Sequence, residues 1–267
     1  MDLQIKNRIA LVTGGSRGIG AGIVRNLAQE GVKVIFFARA SAAMTALESE
    51  VRAYGGSCLG VPVDVFDSVA LLAAVENAAA HWGGLDILVN NVGGPIRFGG
   101  FEELNDDDWM KTFEFNVMTT VRCTRAALPY LRRSTLKRVI NISSISAHQP
   151  GLYNPHYTST KAAVVNLGKH LANILAKEKI LVNTVCPGPV HSDSWESNIL
   201  KIAADRKIPM DEARRTVEKE EAAKIPLNVV GEAEQIGAVV SLLASPLSSW
   251  TTGSCINVNG GKMASAF

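Results

Sequence analysis

The chain has 267 residues, 47% of them hydrophobic and 19% charged, with a formal net charge of +2. That supplies a sizeable core and fits one α/β domain, since folds of this class often stay single at such a length. Acidic and basic residues are interleaved, so neither nucleic acid nor an anionic membrane is expected as a partner.

No stretch reaches the length of a membrane span without Gly, Pro or charge. The first residues, Met1 to Arg8, carry charge where a secretory signal is apolar. A cytoplasmic location is the expectation. Cys58, Cys123, Cys186 and Cys255 are far apart, and the five His residues are dispersed. The cysteines therefore read as small buried hydrophobes, and no metal site is expected.

Short β-branched runs alternate with longer amphipathic segments. Strands are predicted at Ile9–Val12, Val32–Phe37, Cys58–Val63, Ile87–Val89, Arg138–Ile142, Ile180–Val185 and Ser254–Val258. Helices are predicted from the glycine turn to Gln29, at 42–54, at 68–82 and at 106–131. Asn105 can cap the last of these, with Asp106, Asp107 and Asp108 favouring its positive dipole end. Apolar strands without alternation, separated by helices, imply a parallel sheet covered on both faces. The predicted fold is a Rossmann-type, doubly wound α/β single domain with ligands at the carboxyl ends of its strands.

Thr13-Gly14-Gly15-Ser16-Arg17-Gly18-Ile19-Gly20 joins the first strand to the first helix. Glycines there permit a tight turn and close backbone approach, and the helix start offers N–H groups to a pyrophosphate. The acidic residue that would hold a ribose 2′-hydroxyl should close the second strand, but that strand ends Phe37-Ala38-Arg39. Arg39, helped by Arg17, can instead pair with a 2′-phosphate, so NADP(H) is the expected cofactor. Two merely solvent-exposed arginines are the alternative.

Ser144, Tyr157 and Lys161 occur in the order and spacing of the short-chain dehydrogenase/reductase family, which the chain resembles from Arg8 to Gly261. The resemblance also rests on the glycine spacing, Asp64-Val65, Asn90-Asn91-Val92-Gly93, Asn116, Pro187-Gly188 and Asn259-Gly260-Gly261. Ser192 stands where the family usually has threonine, Val92 replaces a usual alanine, and Asn259 a usual aspartate.

Part of the chemistry follows from the residues alone. Tyr157 and Lys161 are four apart and share one helix face. A tyrosine of pKa about 10 becomes a usable acid/base when an ammonium and a cationic nicotinamide lower that value. Ser144 can hydrogen-bond the reacting oxygen. A surface Tyr–Lys pair and a turn-forming serine are the bland alternatives.

The resemblance further implies that Lys161 holds the nicotinamide ribose and that Asn116 carries a water-linked proton path. By the same resemblance Asp64 and Val65 lie at the adenine, Asn91 along the ribose, and Asn90 braces the central strands. Pro187, Val190 and Ser192 then meet the nicotinamide end. Residues 191–230 correspond to a helical substrate lid, for which Trp195, Ile199, Leu200, Ile202, Ile208 and Met210 are candidate facing residues. Pro95, Ile96, Ile145, Gln149 and Tyr153 are candidate pocket lining; His148 and His156 are read as ordinary loop residues, with a polar substrate end as the alternative.

The expected substrate is a small carbonyl or alcohol, with a 3-oxoacyl thioester leading and a polyol, sugar or ring ketone as alternative. A non-catalytic NADP(H) sensor or scaffold is the rival class. The resemblance implies a homodimer or homotetramer through helices at about 106–131 and 157–177; Phe113, Val117, Val121, Val164 and Leu171 are compatible with such packing and equally with core packing alone.

Overall fold

A strand that is apolar at every position must be buried on both faces. In the computed structural model, which describes residues 1–265, this demand is met by one parallel seven-stranded sheet. The strands are β1 (Ile9–Thr13), β2 (Lys33–Ala38), β3 (Ser57–Pro62), β4 (Ile87–Asn90), β5 (Arg138–Ile142), β6 (Leu181–Pro187) and β7 (Cys255–Val258), ordered β3-β2-β1-β4-β5-β6-β7. Successive side chains of β1 go to opposite layers. Ala10 and Val12 pack with α1 (Gly18–Gln29), α2 (Ala42–Ala53) and α9 (Ala233–Ala244). Leu11 packs with α3 (Ser68–His81), α5 (Thr119–Arg133) and α6 (Pro155–Leu175).

The sequence reading did not single out α9, although its Ile236, Val240 and Leu243 are all buried. It crosses α1 at very close range. A Cβ on Gly22 would lie 2.6 Å from the Ala233 carbonyl carbon, and one on Gly237 would lie 2.6 Å from the Gly22 oxygen. Glycine is required at this crossing because backbone meets backbone.

The helix predicted over 106–131 is divided. Its start is as expected: Asn105 Oδ1 accepts from Asp108 N at 3.0 Å, and Asp108 Oδ2 accepts from Asn105 N at 3.1 Å. After α4 (Asp106–Phe113), however, a π-helical turn at Glu114–Met118 intervenes before α5. Sequence periodicity does not reveal one wide turn, which is held by tertiary bonds to Asn116.

Residues 191–230 are mostly helical, as expected, and form α7 (Asp193–Arg206) and α8 (Met210–Ala222). These two helices have a small core of their own: Ile199, Ala203, Ala213 and Val217, with Trp195, Ile202 and Ile208 against it. Ile199 and its neighbours thus mainly join α7 to α8. Among the described residues no helix is long and apolar enough to cross a membrane.

Chain order reverses between β1 and β4, so their carboxyl ends open the crevice where doubly wound folds bind ligands. Leu88, in the middle of β4 and fully buried, tests the packing on which this crevice stands. Leu88→Ala is expected to lower unfolding free energy by about 2–5 kcal/mol. Leu200→Ala, at an exposed position of α7, is expected to change it by less than about 0.5 kcal/mol, both read from urea denaturation.

Candidate active site

Two adjoining clefts of about 510 and 470 Å³ run along the carboxyl edge of the sheet and share Gly14, Val92, Pro95 and Phe115 in their walls. The larger is lined by Gly14, Arg17, Gly18, Ile19, Gly20, Asn91, Ser144, Tyr157, Lys161, Pro187, Val190 and Ser192. Ser16, Arg39, Asp64 and Val65 line the smaller. Of the residues picked from sequence as catalytic or cofactor-binding, only Asn116 stands behind the wall.

The glycine loop is shaped by real steric need. Gly14 and Gly18 have φ of +67° and +49°. A Cβ on Gly20 would sit 2.0 Å from the Gly14 oxygen. Asn91 fixes the loop from the side, donating from Nδ2 to the Thr13 and Gly14 carbonyls at 3.0 Å each. Its Nδ2 group is therefore committed to the loop, while the residue itself lines the cleft. Asn90 braces the sheet as expected, donating to Thr124 Oγ1 at 3.0 Å and Asn141 Oδ1 at 2.9 Å.

The far end of the larger cleft carries the titratable groups. Asn154, in the left-handed region with φ of +58°, precedes Pro155 at the start of α6. That helix presents Tyr157 and Lys161 to the cleft from successive turns. Lys161 Nζ lies 5.8 Å from the Tyr157 ring centroid and donates to the Ile142 carbonyl at 3.0 Å. Burial lowers Lys161 to about 8.

For Tyr157 in the protein alone, burial is the leading influence. Burial pushes its pKa up, more than the Ser144 hydroxyl on the same side pulls it down, and a negative charge on Cys186 would push it further. Ser144 Oγ lies 2.9 Å from Ser146 Oγ and accepts from Ser146 N at 3.1 Å.

Asn116, fully buried in the π-helical turn, accepts from Gly94 N at 2.8 Å and donates to Gly94 O at 3.1 Å and Thr160 Oγ1 at 2.7 Å. Its side chain thereby clamps the strand that leaves β4. Gly93 lies in between: a Cβ there would be 2.5 Å from Lys161 Nζ and 2.9 Å from Asn116 Oδ1. Here glycine is what allows the loop to approach the lysine.

Several expected lining residues lie elsewhere. Ile145, Gln149 and Tyr153 are absent from both walls, and Gln149 Oε1 accepts from Ala264 N at 2.9 Å. His156 is no loop residue: it is buried in the first turn of α6, edge-on to Trp109, and burial lowers its pKa. His148 turns towards Cys255. Trp195 and Pro95 do line the larger cleft and Ile96 the smaller; Leu200 and Met210 line neither. Sequence reasoning missed Phe98, Phe115 and Asn154, whose place in the wall depends on loop paths that no local pattern encodes.

Comparison with known proteins gives this geometry its setting. The family described as short chain dehydrogenase matches residues 8–202, most of the chain. This protein belongs to that family. It is an oxidoreductase by that membership. A 3-oxoacyl-[acyl-carrier-protein] reductase of Salmonella typhimurium is 30% identical over 97% of this chain and 98% of its own. An uncharacterized oxidoreductase of Methylorubrum extorquens is 34% identical, again over 97% and 98%. Among solved structures, the L-sorbose reductase of Gluconobacter frateurii, complexed with NADPH and L-sorbose, superposes with a TM-score of 0.93 at 29% identity, covering 99% of this chain and 100% of that one.

The α7–α8 pair of this family member is latched to the body beside the cleft. His191 Nδ1 meets Glu232 at 2.7 Å and Nε2 meets Glu218 of α8 at 2.9 Å, with Trp195 edge-on to the ring. Burial opposes protonation of His191, but the two carboxylates outweigh it and raise its pKa above the usual 6.5. The latch therefore contributes fully below about pH 6.5 and is lost as pH rises through the raised value. With the intrinsic pH dependence of amide exchange divided out, protection of α8 is expected to fall across that window and to become independent of pH in His191→Gln, as measured by hydrogen–deuterium exchange.

Proposed function

We propose that this protein is an NADPH-dependent reductase that converts a ketone to a secondary alcohol, with Tyr157 as proton donor. The observation that carries the reading is the convergence of Ser144, Tyr157 and Lys161 at one end of a cleft whose other end is a glycine loop with no acidic residue closing β2. Arg39 is exposed and forms no ion pair among the described residues, which suits a 2′-phosphate. The close approaches at Gly14, Gly20 and Gly93 suit a dinucleotide along the cleft.

When bound, NADPH supplies the hydride. The protein's own residues position the carbonyl and deliver a proton. Ser144 donates a hydrogen bond to the carbonyl oxygen, and Tyr157 transfers its proton to that oxygen as it gains negative charge. A phenol pKa raised by burial keeps Tyr157 protonated at neutral pH, the form that reduction needs. Lys161 places a positive charge behind the phenol and within reach of a ribose. Asn116 holds the Gly94 segment and, through Thr160, the turn of α6 that carries Tyr157. In this reading it is a positioning residue.

For the substrate, the wall beyond Tyr157 favours an apolar ketone or 3-oxoacyl thioester. Pro95, Phe98 and Trp195 contribute rings there, and Asn154 Oδ1 is already bonded to Gly99 N at 3.0 Å. The shape shared with the L-sorbose reductase supports a ketose as the second reading. A cytoplasmic homodimer or homotetramer fits the same proposal. Met110 and Phe113 on α4 and Ile174 on α6 are exposed, whereas Val117 and Val164 are buried in the protomer.

Loss of NADPH absorbance with acetoacetyl thioesters and with ketoses tests the reading. Turnover is expected to be faster with the thioesters and to fall by about 10²–10⁴-fold in Tyr157→Phe. Unchanged turnover in that variant would refute the mechanism; tight NADPH binding without turnover on any ketone would favour the sensor role. Arg39→Asp is expected to raise KM for NADPH by roughly tenfold or more while sparing NADH.

A further inference from the structure

Cys186 and Cys255 are 69 positions apart in sequence, yet their sulfurs lie 3.2 Å apart. The β6–β7 register explains this. Cys186 pairs with Asn257 and Thr184 with Cys255, so the two thiols are diagonal neighbours on one face of adjacent parallel strands. His148 follows the short turn Ile145–Ala147, held by its N–H to the Ile145 carbonyl at 3.0 Å. Its Nε2 lies 3.2 Å from Cys255 Sγ and 3.8 Å from Cys186 Sγ. The three ligand atoms fall within 4.8 Å of one another.

We propose that His148, Cys186 and Cys255 form a binding site for a borderline-soft divalent cation of the Zn²⁺ class. Metal–sulfur and metal–nitrogen bonds of about 2.3 and 2.0 Å set tetrahedral ligands roughly 3.5–3.8 Å apart. The observed triangle reaches this with the sulfurs parting by about half an ångström and smaller shifts of the imidazole. Two sulfurs and an imidazole, with no carboxylate, select Zn²⁺ over Mg²⁺ or Ca²⁺. Cys186 is buried and Cys255 half-buried, whereas His148 is exposed, so solvent can enter on the histidine side and fill the fourth position. Both cysteines bind as thiolates, and the protons they release pass to solvent.

The site adjoins the active-site cleft. Cys186 directly precedes Pro187 and Gly188 in the cleft wall. A bound cation would fix the end of β6 against the turn that follows Ser144. The site itself does not rest on the proposed reductase activity, because its first readout is metal binding.

The test uses the reduced, metal-free full-length protein and Co²⁺ as a spectroscopic probe, with Zn²⁺ in competition. One equivalent of Co²⁺ is expected to give thiolate-to-cobalt charge-transfer absorption and intense tetrahedral d–d bands, both abolished by equimolar Zn²⁺. Cys186→Ser and Cys255→Ser are each expected to weaken binding by roughly a hundredfold or more and to reduce the charge-transfer intensity. His148→Ala changes an exposed side chain, so it keeps the test decisive should a cysteine variant misfold; about tenfold weaker binding is expected. Binding without charge transfer, or unchanged in these variants, would overturn the proposal. So would failure of the reduced protein to take up Co²⁺ or Zn²⁺, with the thiols instead forming a disulfide in air.

Discussion

The chain leaving β4 is tied to the chain leaving β1 by four hydrogen bonds, and the rest of the site depends on that tie. Thr13 Oγ1 accepts from the backbone N–H groups of Asn91 and Val92, while Asn91 Nδ2 returns bonds to the carbonyls of Thr13 and Gly14. Two parallel strands that diverge beyond their last ladder bond would otherwise splay, leaving buried polar backbone unpaired. Held together, they set the glycine loop on one side and Gly93 on the other. Gly93 can then lie against Lys161, and Gly94 against Asn116.

Burial sets the electrostatics of the site as much as its shape. Tyr157 is shifted up and Lys161 down, as expected when desolvation outweighs partner charges. Cys186 adds a third titratable group to this neighbourhood. A hydrogen bond from the Cys255 thiol lowers the pKa of Cys186 against the opposing effect of burial, and that of Cys255 is raised. A thiolate there would raise both Tyr157 and Lys161, so the end of β6 borders the active site electrically as well as in space.

The strands were legible because a sheet covered on both faces needs uninterrupted apolar runs such as Ile9–Val12 and Ile87–Val89. The glycine loop and the Ser–Tyr–Lys set were legible because their chemistry constrains spacing along one loop and one helix. Less was visible where three-dimensional context decides. The π-helical turn at Asn116 depends on Gly94 and Thr160, which lie on other elements. The helix over 233–244 owes its place to a glycine crossing with α1. The partnership of Cys186 with Cys255 required the register of two strands far apart in sequence, and without it four scattered cysteines looked inert. Ile199, Ile202 and Ile208 gave an apolar stripe correctly, but a stripe does not say whether it faces a ligand or another helix.

The crossing of α1 over α9 also has a bearing on biosynthesis. The helix that begins at the glycine loop finds a main packing partner only after most of the polypeptide has been made, since Gly22 must meet Ala233 and Gly237. While the chain is still emerging from the ribosome, β1 and α1 can pair with β2 and α2, but one flank of α1 stays uncovered. The helix that follows the glycine loop is therefore fully packed only late in synthesis. A nascent or truncated chain ending before residue 233 would carry the glycine signature and its tie to Asn91, yet leave one flank of the helix behind it without a partner.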